Sequence, residues 1–221
     1  SIMRKFIFIL GLILSTHFSA HATVWDTTNA WDASWEAKYQ DWVLNKWDKN
    51  FYIKKGIYQN LKVDCADAVY TMRYAFAAEN GLPFVINDPT GGNLLISNNM
   101  SRWDSLPANQ RKREFLNYLF GLVSTKSMPA DTYPVAVDRS TITSGTMLRT
   151  DQASHHSWTI KYISSTGIPF LIFSSRPAKS NLFTRFEYPT TGFTFPNGLK
   201  PETEAGFRAF RWPQHLKLAA W

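Results

Sequence analysis

Asp64-Cys65-Ala66-Asp67-Ala68-Val69-Tyr70-Thr71-Met72-Arg73-Tyr74-Ala75-Phe76-Ala77-Ala78-Glu79-Asn80-Gly81 is the stretch on which the reading of the fold turns. An aspartate ahead of an apolar run can accept from the free N–H groups of a helix start. Asp67, three positions on, completes a capping-box pattern. Ala66, Val69, Arg73, Phe76 and Ala77 keep helical spacing. Asn80-Gly81 ends the run, with Pro83 beyond. The stretch therefore predicts a helix with the chain's one cysteine in its first turn.

Working outward, Trp31, Trp35, Tyr39 and Trp42 share one face of an earlier helix, with Thr28 or Asn29 as its cap. That face either packs on the domain or, through Trp31, Trp35 and Trp42, forms a platform for sugar rings. Residues 85–105 read as a loop-rich insert, with Asp88-Pro89-Thr90-Gly91-Gly92 as its turn. A further helix is predicted from Ala108 to Val123, with Phe115, Leu116, Leu119 and Leu122 inward. From Tyr133 the period becomes alternating. Thr146–Arg149, Ser157–Ile163 and Pro169–Phe173 read as strands, the last two joined as a hairpin through Ser164-Ser165-Thr166-Gly167. The tail from 183 has no clear period. Helices first and an antiparallel sheet after them predict an α+β fold in one domain, residues 23–221. The chain ends abruptly at Leu218-Ala219-Ala220-Trp221, as a C-terminally truncated fragment would.

Composition narrows the function classes. In 221 residues, 44% apolar and 19% charged content is enough for a real core and argues against disorder. Nine Trp imply either a dense core or a surface that grips something flat. A single cysteine excludes an internal disulfide framework and a multi-cysteine metal site, and five histidines leave little for a His-rich one. No metal and no cofactor are expected. The net charge of +7 favours an anionic surface such as a cell wall. The basic residues are scattered, so nucleic acid is not an expected partner. Arg111-Lys112-Arg113, the one tight basic run, reads as the solvated start of a helix. No apolar run approaches the roughly 18 residues of a spanning helix, so no stable membrane anchor is expected.

Residues 1–22 read as a secretory signal peptide. Arg4 and Lys5 form a basic start, Phe6 to Leu14 an apolar stretch, and Ala20-His21-Ala22 a small-x-small cleavage pattern. The expected location is periplasmic or extracellular. After cleavage the remaining histidines are His155, His156 and His215.

In an exported chain an unpaired thiol is a liability unless it is used. At a helix start, backbone N–H groups and the helix dipole favour the thiolate, while the neighbouring Asp64 and Asp67 oppose it. A base is needed, held rigidly. In Ser154-His155-His156-Ser157-Trp158-Thr159-Ile160, alternation places His156, Trp158 and Ile160 on one face and His155 on the other. His156 is therefore the candidate base and Cys65 the candidate nucleophile. The bland alternatives are a small buried cysteine and two surface histidines.

Asp64-Cys65-Ala66-Asp67, then Gly145-Thr146-Met147-Leu148, then His156 opening a strand resemble the NlpC/P60 group of papain-like cysteine peptidases, over roughly residues 52–176. Ala66-Asp67 stands where that family has Ser-Gly, Thr146 where it has Asp, and Trp158 where it has Gly. The resemblance implies a cysteine-bearing helix packed on an antiparallel sheet and metal-free hydrolysis of amide bonds in cell-wall peptides. It also implies a third polar residue on the strand after the histidine. Pro169–Phe173 has none, and Ser174 is the nearest substitute. By the same likeness Gln59 or Tyr58 is the candidate oxyanion donor. Two other functions compete: a non-catalytic wall- or glycan-binding module, and an acyltransferase on the same scaffold. A transglutaminase-type Cys–His–Asp order has no candidate, since no Asp follows His156.

Overall fold

The computed structural model describes residues 23–92, 95–136, 138, 140–150, 156–187 and 206–216. The expected signal segment, His155 and the last five residues lie outside them. Mixed α+β architecture with antiparallel sheets is what the chain adopts. Helix α1 spans Ala33–Lys46, α2 Cys65–Glu79, α3 Ala108–Phe120, α4 Met128–Asp131 and α5 Pro213–Leu216. Strands β1 (Val85–Asn87) and β2 (Leu95–Ser97) form a small hairpin within the predicted insert. The main sheet contains β3 (Thr132–Pro134), β4 (Met147–Arg149), β5 (Ser157–Ile163), β6 (Pro169–Phe173), β7 (Phe183–Phe186) and β8 (Gly206–Phe210). Its order is β3-β8-β4-β5-β6-β7, antiparallel throughout.

The centre of the molecule is α2. Asp64 Oδ1 accepts from Ala66 N–H and Asp67 N–H, both at 3.1 Å, and Asp67 Oδ2 accepts from Asp64 N–H at 3.0 Å. The capping box is thus complete. Every residue from Cys65 to Ala77 is buried. The helix packs on β5 and β6 and touches α1 and α3. Met147 and Ile172 join the α2 core, while Leu148, Ile160, Leu171 and Phe207 fill a second cluster on the opposite face of the sheet.

A helix enclosed on all sides must pair its polar groups internally. Tyr70 Oη donates to Asp131 Oδ2 at 2.5 Å and Tyr74 Oη to the Lys112 carbonyl at 2.8 Å. Arg73 forks onto Glu36 of α1, Nη1 to Oε1 and Nη2 to Oε2, both at 2.9 Å. Its guanidinium lies 3.4 Å above the Trp31 ring and 4.5 Å from that of Tyr39. Trp212 Nε1 also donates to Glu36 Oε2, at 3.0 Å. One buried cation thereby joins α1, α2 and the segment after β8.

Several expectations need correction. Asp32, not Thr28 or Asn29, caps α1, its Oδ1 accepting from Trp35 N–H at 2.8 Å. Thr28 and Asn29 instead donate their backbone N–H groups to Gly81 O, closing the C-terminal end of α2. A Cβ on Gly81 would meet Thr28 Oγ1 at 2.2 Å, and its φ of +61° is itself a glycine conformation. Trp31 precedes α1 and is 3% exposed, its ring covered by Arg73 and its Nε1 donating to Pro83 O, so it belongs to no sugar platform. Trp35 and Trp42 are half-buried against the same core. The basic run is not merely solvated: Arg111 Nη1 donates to Thr23 O, and Arg113 Nη1 to Ile57 O and Gln59 O. Strands β1, β2, β3, β7 and β8 were not anticipated.

Replacing Arg73 by Met leaves the Glu36 carboxylate without its buried cation, and the expected loss is about 3 kcal/mol of unfolding free energy in urea. A loss below about 1 kcal/mol would mean that the pair is not structural. Burial pushes Asp131 up to about 7, against partial relief from Tyr70 and Asn87. Its contribution to stability is full below about pH 4 and fades as pH rises through 7. Asp131→Asn should flatten that part of the stability–pH curve, read by thermal melts across the range.

Candidate active site

Cys65 is the first residue of α2 and is 9% exposed. Since Asp64 takes the N–H groups of Ala66 and Asp67, the Cys65 N–H is left as the donor of the first turn, with no acceptor among the described residues. Its Sγ lies 3.4 Å from Thr125 Oγ1, and Thr125 Oγ1 is 3.5 Å from Ser157 Oγ. The Thr125 carbonyl accepts from Arg149 Nε at 2.7 Å, and Arg149 is the cross-strand partner of Ser157. Thr125, in the loop between α3 and α4, thus ties the thiol to the ends of β4 and β5.

The turn that carries Cys65 is pinned from its other side. Val63 and Lys179 exchange backbone hydrogen bonds at 3.0 Å each way, and Ser174 Oγ donates to Val63 O at 2.7 Å. Ser174 is fully buried. Its hydroxyl proton is committed to that carbonyl, so Ser174 holds the cysteine turn in place and does not orient a histidine. Arg176 reaches Asp64 Oδ2 at 3.6 Å, but it is largely exposed.

His156 immediately precedes β5. Its backbone exchanges hydrogen bonds with Thr150, which fixes the strand entry. The ring packs edge-on against Trp158, centroids 4.2 Å apart, and against Phe173 at 5.8 Å. The shared face read from alternation is therefore seen. Ser157, the next residue, is the one on the α2 side. The thiol and the imidazole are not hydrogen-bonded to each other, Thr125 being the partner of Sγ. The ring lies with Trp158 and Phe173 on the sheet face away from α2, so the structure does not bring it to the thiol. Burial and the Arg185 cation push the His156 pKa below its ordinary value, and the Asp64 carboxylate pushes it back up. The imidazole is neutral near pH 7, as a general base requires.

Asp67 was expected to disfavour a thiolate. Burial pushes its pKa up to about 7, so much of its charge is absent at neutral pH and the opposition is weaker. Neither oxyanion candidate reaches the cysteine. Gln59 Nε2 turns to Ile53 O at 3.5 Å, within its own loop. Tyr58 packs on Phe51, and burial together with the Glu79 charge pushes its phenol up. Glu79 ends α2, and fourteen helical steps put it about 21 Å from Cys65. Thr125, Ser157 and Arg149 are the neighbours that sequence reasoning missed. Thr125 carries no motif, and only the alternation of β5 could have flagged Ser157.

Among the described residues, no three His, Cys, Asp or Glu side chains cluster as metal ligands, and no helix is long and apolar enough to cross a membrane. No family model matches the chain, and no curated protein or solved structure matches it either.

The electrostatic link between Asp64 and His156 has a measurable sign. Asp64→Asn should lower the His156 pKa further and Arg185→Gln should raise it, both followed by NMR titration of the ring protons. No movement in either variant would separate His156 from the cysteine turn.

Proposed function

We propose that the chain is an exported, metal-free cysteine hydrolase of amide bonds, with Cys65 as nucleophile, His156 as general base and cell-wall peptides as substrate class. The observation that carries the reading is a lone thiol at the capped start of a buried helix, beside an aspartate whose charge is felt by a neutral, strand-leading histidine. The docking of that helix on antiparallel strands supports the papain-like, NlpC/P60-type form of the scaffold.

The chemistry follows from these groups. For the ring nitrogen to take the Sγ proton, His156 leaves the Trp158–Phe173 face at the start of β5 for the α2 side, and the Cys65 side chain turns away from Thr125. The thiolate adds to the amide carbonyl carbon, and the Cys65 N–H faces the oxygen that gains the charge, a contact of about 3 kcal/mol in such sites. The imidazolium returns its proton to the leaving nitrogen as the C–N bond breaks. Water, deprotonated by the same ring, then releases the acid and the free thiol.

Purified protein incubated with peptidoglycan-derived peptides should release free amine and acid. Cys65→Ala and His156→Ala should each lower turnover by about a thousandfold or more, with melting temperature nearly unchanged for Cys65→Ala. Full activity in either variant would exclude this mechanism. Retention on intact cell wall without any release of amine would favour the binding-module reading, in which Cys65 is a small buried side chain.

A further inference from the structure

One end of the molecule combines positive charge with exposed apolar side chains. Leu44, in the last turn of α1, is 40% exposed, Ile53 46% and Phe186, at the end of the edge strand β7, 39%. Ile53 sits in the turns that follow α1. There the stretch 46–55 carries Lys46, Lys49, Lys54 and Lys55, all exposed, against a single acid, Asp48, which is paired with Lys54.

Three links hold these parts against one another. First, Lys161 of β5 donates from Nζ to Val43 O, the residue before Leu44, at 3.0 Å, and to Trp47 O. Asp48 and Lys54 lie near enough for their charges to act on it. Second, Leu182 N–H, just ahead of β7, donates to Lys49 O at 3.2 Å. Third, a bulge at Lys161 lets Tyr162 pair with Phe170. Tyr162, Phe170 and Phe186 then form a ring cluster, with centroids 4.9 Å apart for Tyr162–Phe170 and for Phe170–Phe186. Phe170 stands two residues before Ile172, which faces the α2 core, so the cluster lies on the helix-bearing face of the sheet, beside Lys161. These three rings belong to neither core cluster. Apolar side chains rimmed by charge in this way mark an interaction surface.

We propose that this face binds reversibly to an anionic phospholipid surface. The lysine ammonium groups meet headgroup phosphates, and Leu44, Ile53 and Phe186 enter the boundary with the acyl chains. Charge alone would suit any polyanion. The aliphatic side chains decide the partner: Leu44 and Ile53 have no ring to stack on a base or a sugar, and they gain only by leaving water. Tyr162, half-buried in the ring cluster, has the apolar body and polar tip that suit a membrane–water boundary. Contact of this kind lies on a bilayer and needs no spanning helix. The inference goes beyond the hydrolase reading and does not depend on it, because neither Cys65 nor His156 takes part.

The test is co-sedimentation of the full chain with vesicles of phosphatidylglycerol and phosphatidylcholine in equal parts, and with vesicles of phosphatidylcholine alone, at low and high salt. Binding to the anionic vesicles should be the stronger and should weaken as salt rises. Lys49→Glu with Lys55→Glu should lower affinity for the anionic vesicles by about tenfold or more. Leu44→Gln with Ile53→Gln should lower it about tenfold. Melting temperatures should stay unchanged, because all four positions are exposed. The apolar stretch Phe6 to Leu14 is common to every variant, so differences between them report this face. Absence of binding to anionic vesicles overturns the proposal, and so does binding that is unchanged in both double variants. Loss in the lysine variant with none in the aliphatic one also overturns it, since the surface would then be a site for a soluble polyanion.

Discussion

Everything in this molecule is arranged around a helix that is buried over thirteen consecutive residues, Cys65 to Ala77. Such a helix would ordinarily be apolar all round. This one contains Asp67, Tyr70, Thr71, Arg73 and Tyr74, and each must find its partner in a neighbouring element. Arg73 finds Glu36 and a bed of aromatic rings, Tyr70 finds Asp131, Tyr74 finds the Lys112 carbonyl, and Asp67 finds the backbone of Asp64. Those requirements fix where α1, α3, α4 and the segment after β8 can sit. The tryptophan-rich composition serves this enclosure: Trp25 meets Tyr74 edge-on at 5.0 Å, and Trp31 lies under Arg73.

The same enclosure gives the candidate site its geometry. Capping stops the helix at Cys65 and turns the chain sharply, so the thiol emerges where α2 meets the ends of β5 and β6. Ser174 and Lys179 clamp that turn through Val63, and Thr125 holds the sulfur. A thiol held rigidly at a capped helix start is half of what nucleophilic catalysis asks of a scaffold; His156, the candidate base, leads β5 with its ring on the Trp158–Phe173 face. Lys161 of β5 fixes the far side of the assembly by donating to Val43 O and Trp47 O at the C-terminal end of α1.

Local signals were legible in the sequence and non-local ones were not. The capping box of α2, the hairpin through Ser164–Gly167 and the bounds of β5 and β6 rest on neighbours in sequence, and all are found where the pattern put them. Gly206–Phe210 escaped notice because its partners are distant and because Arg208 points into the core, which breaks the apolar alternation of a strand. Thr28 and Asn29 carried the right chemistry for a cap, but nothing local says that they serve the far end of α2 and not the start of α1. Tyr58 and Gln59 were chosen by their spacing from Cys65, and spacing cannot report that the loop between them folds back toward the other end of the helix. His156 was placed correctly on the face of Trp158, yet the pattern alone could not say that Ser157 would take the α2 side.

The central claim is that Cys65 and His156 work as a pair. The most direct measurement is the rate of Cys65 alkylation by iodoacetamide as a function of pH, in the native protein and in His156→Ala. The account predicts alkylation near neutral pH that is fast in the native protein and at least about tenfold slower in the variant. Equal alkylation rates in the two proteins at every pH would contradict it.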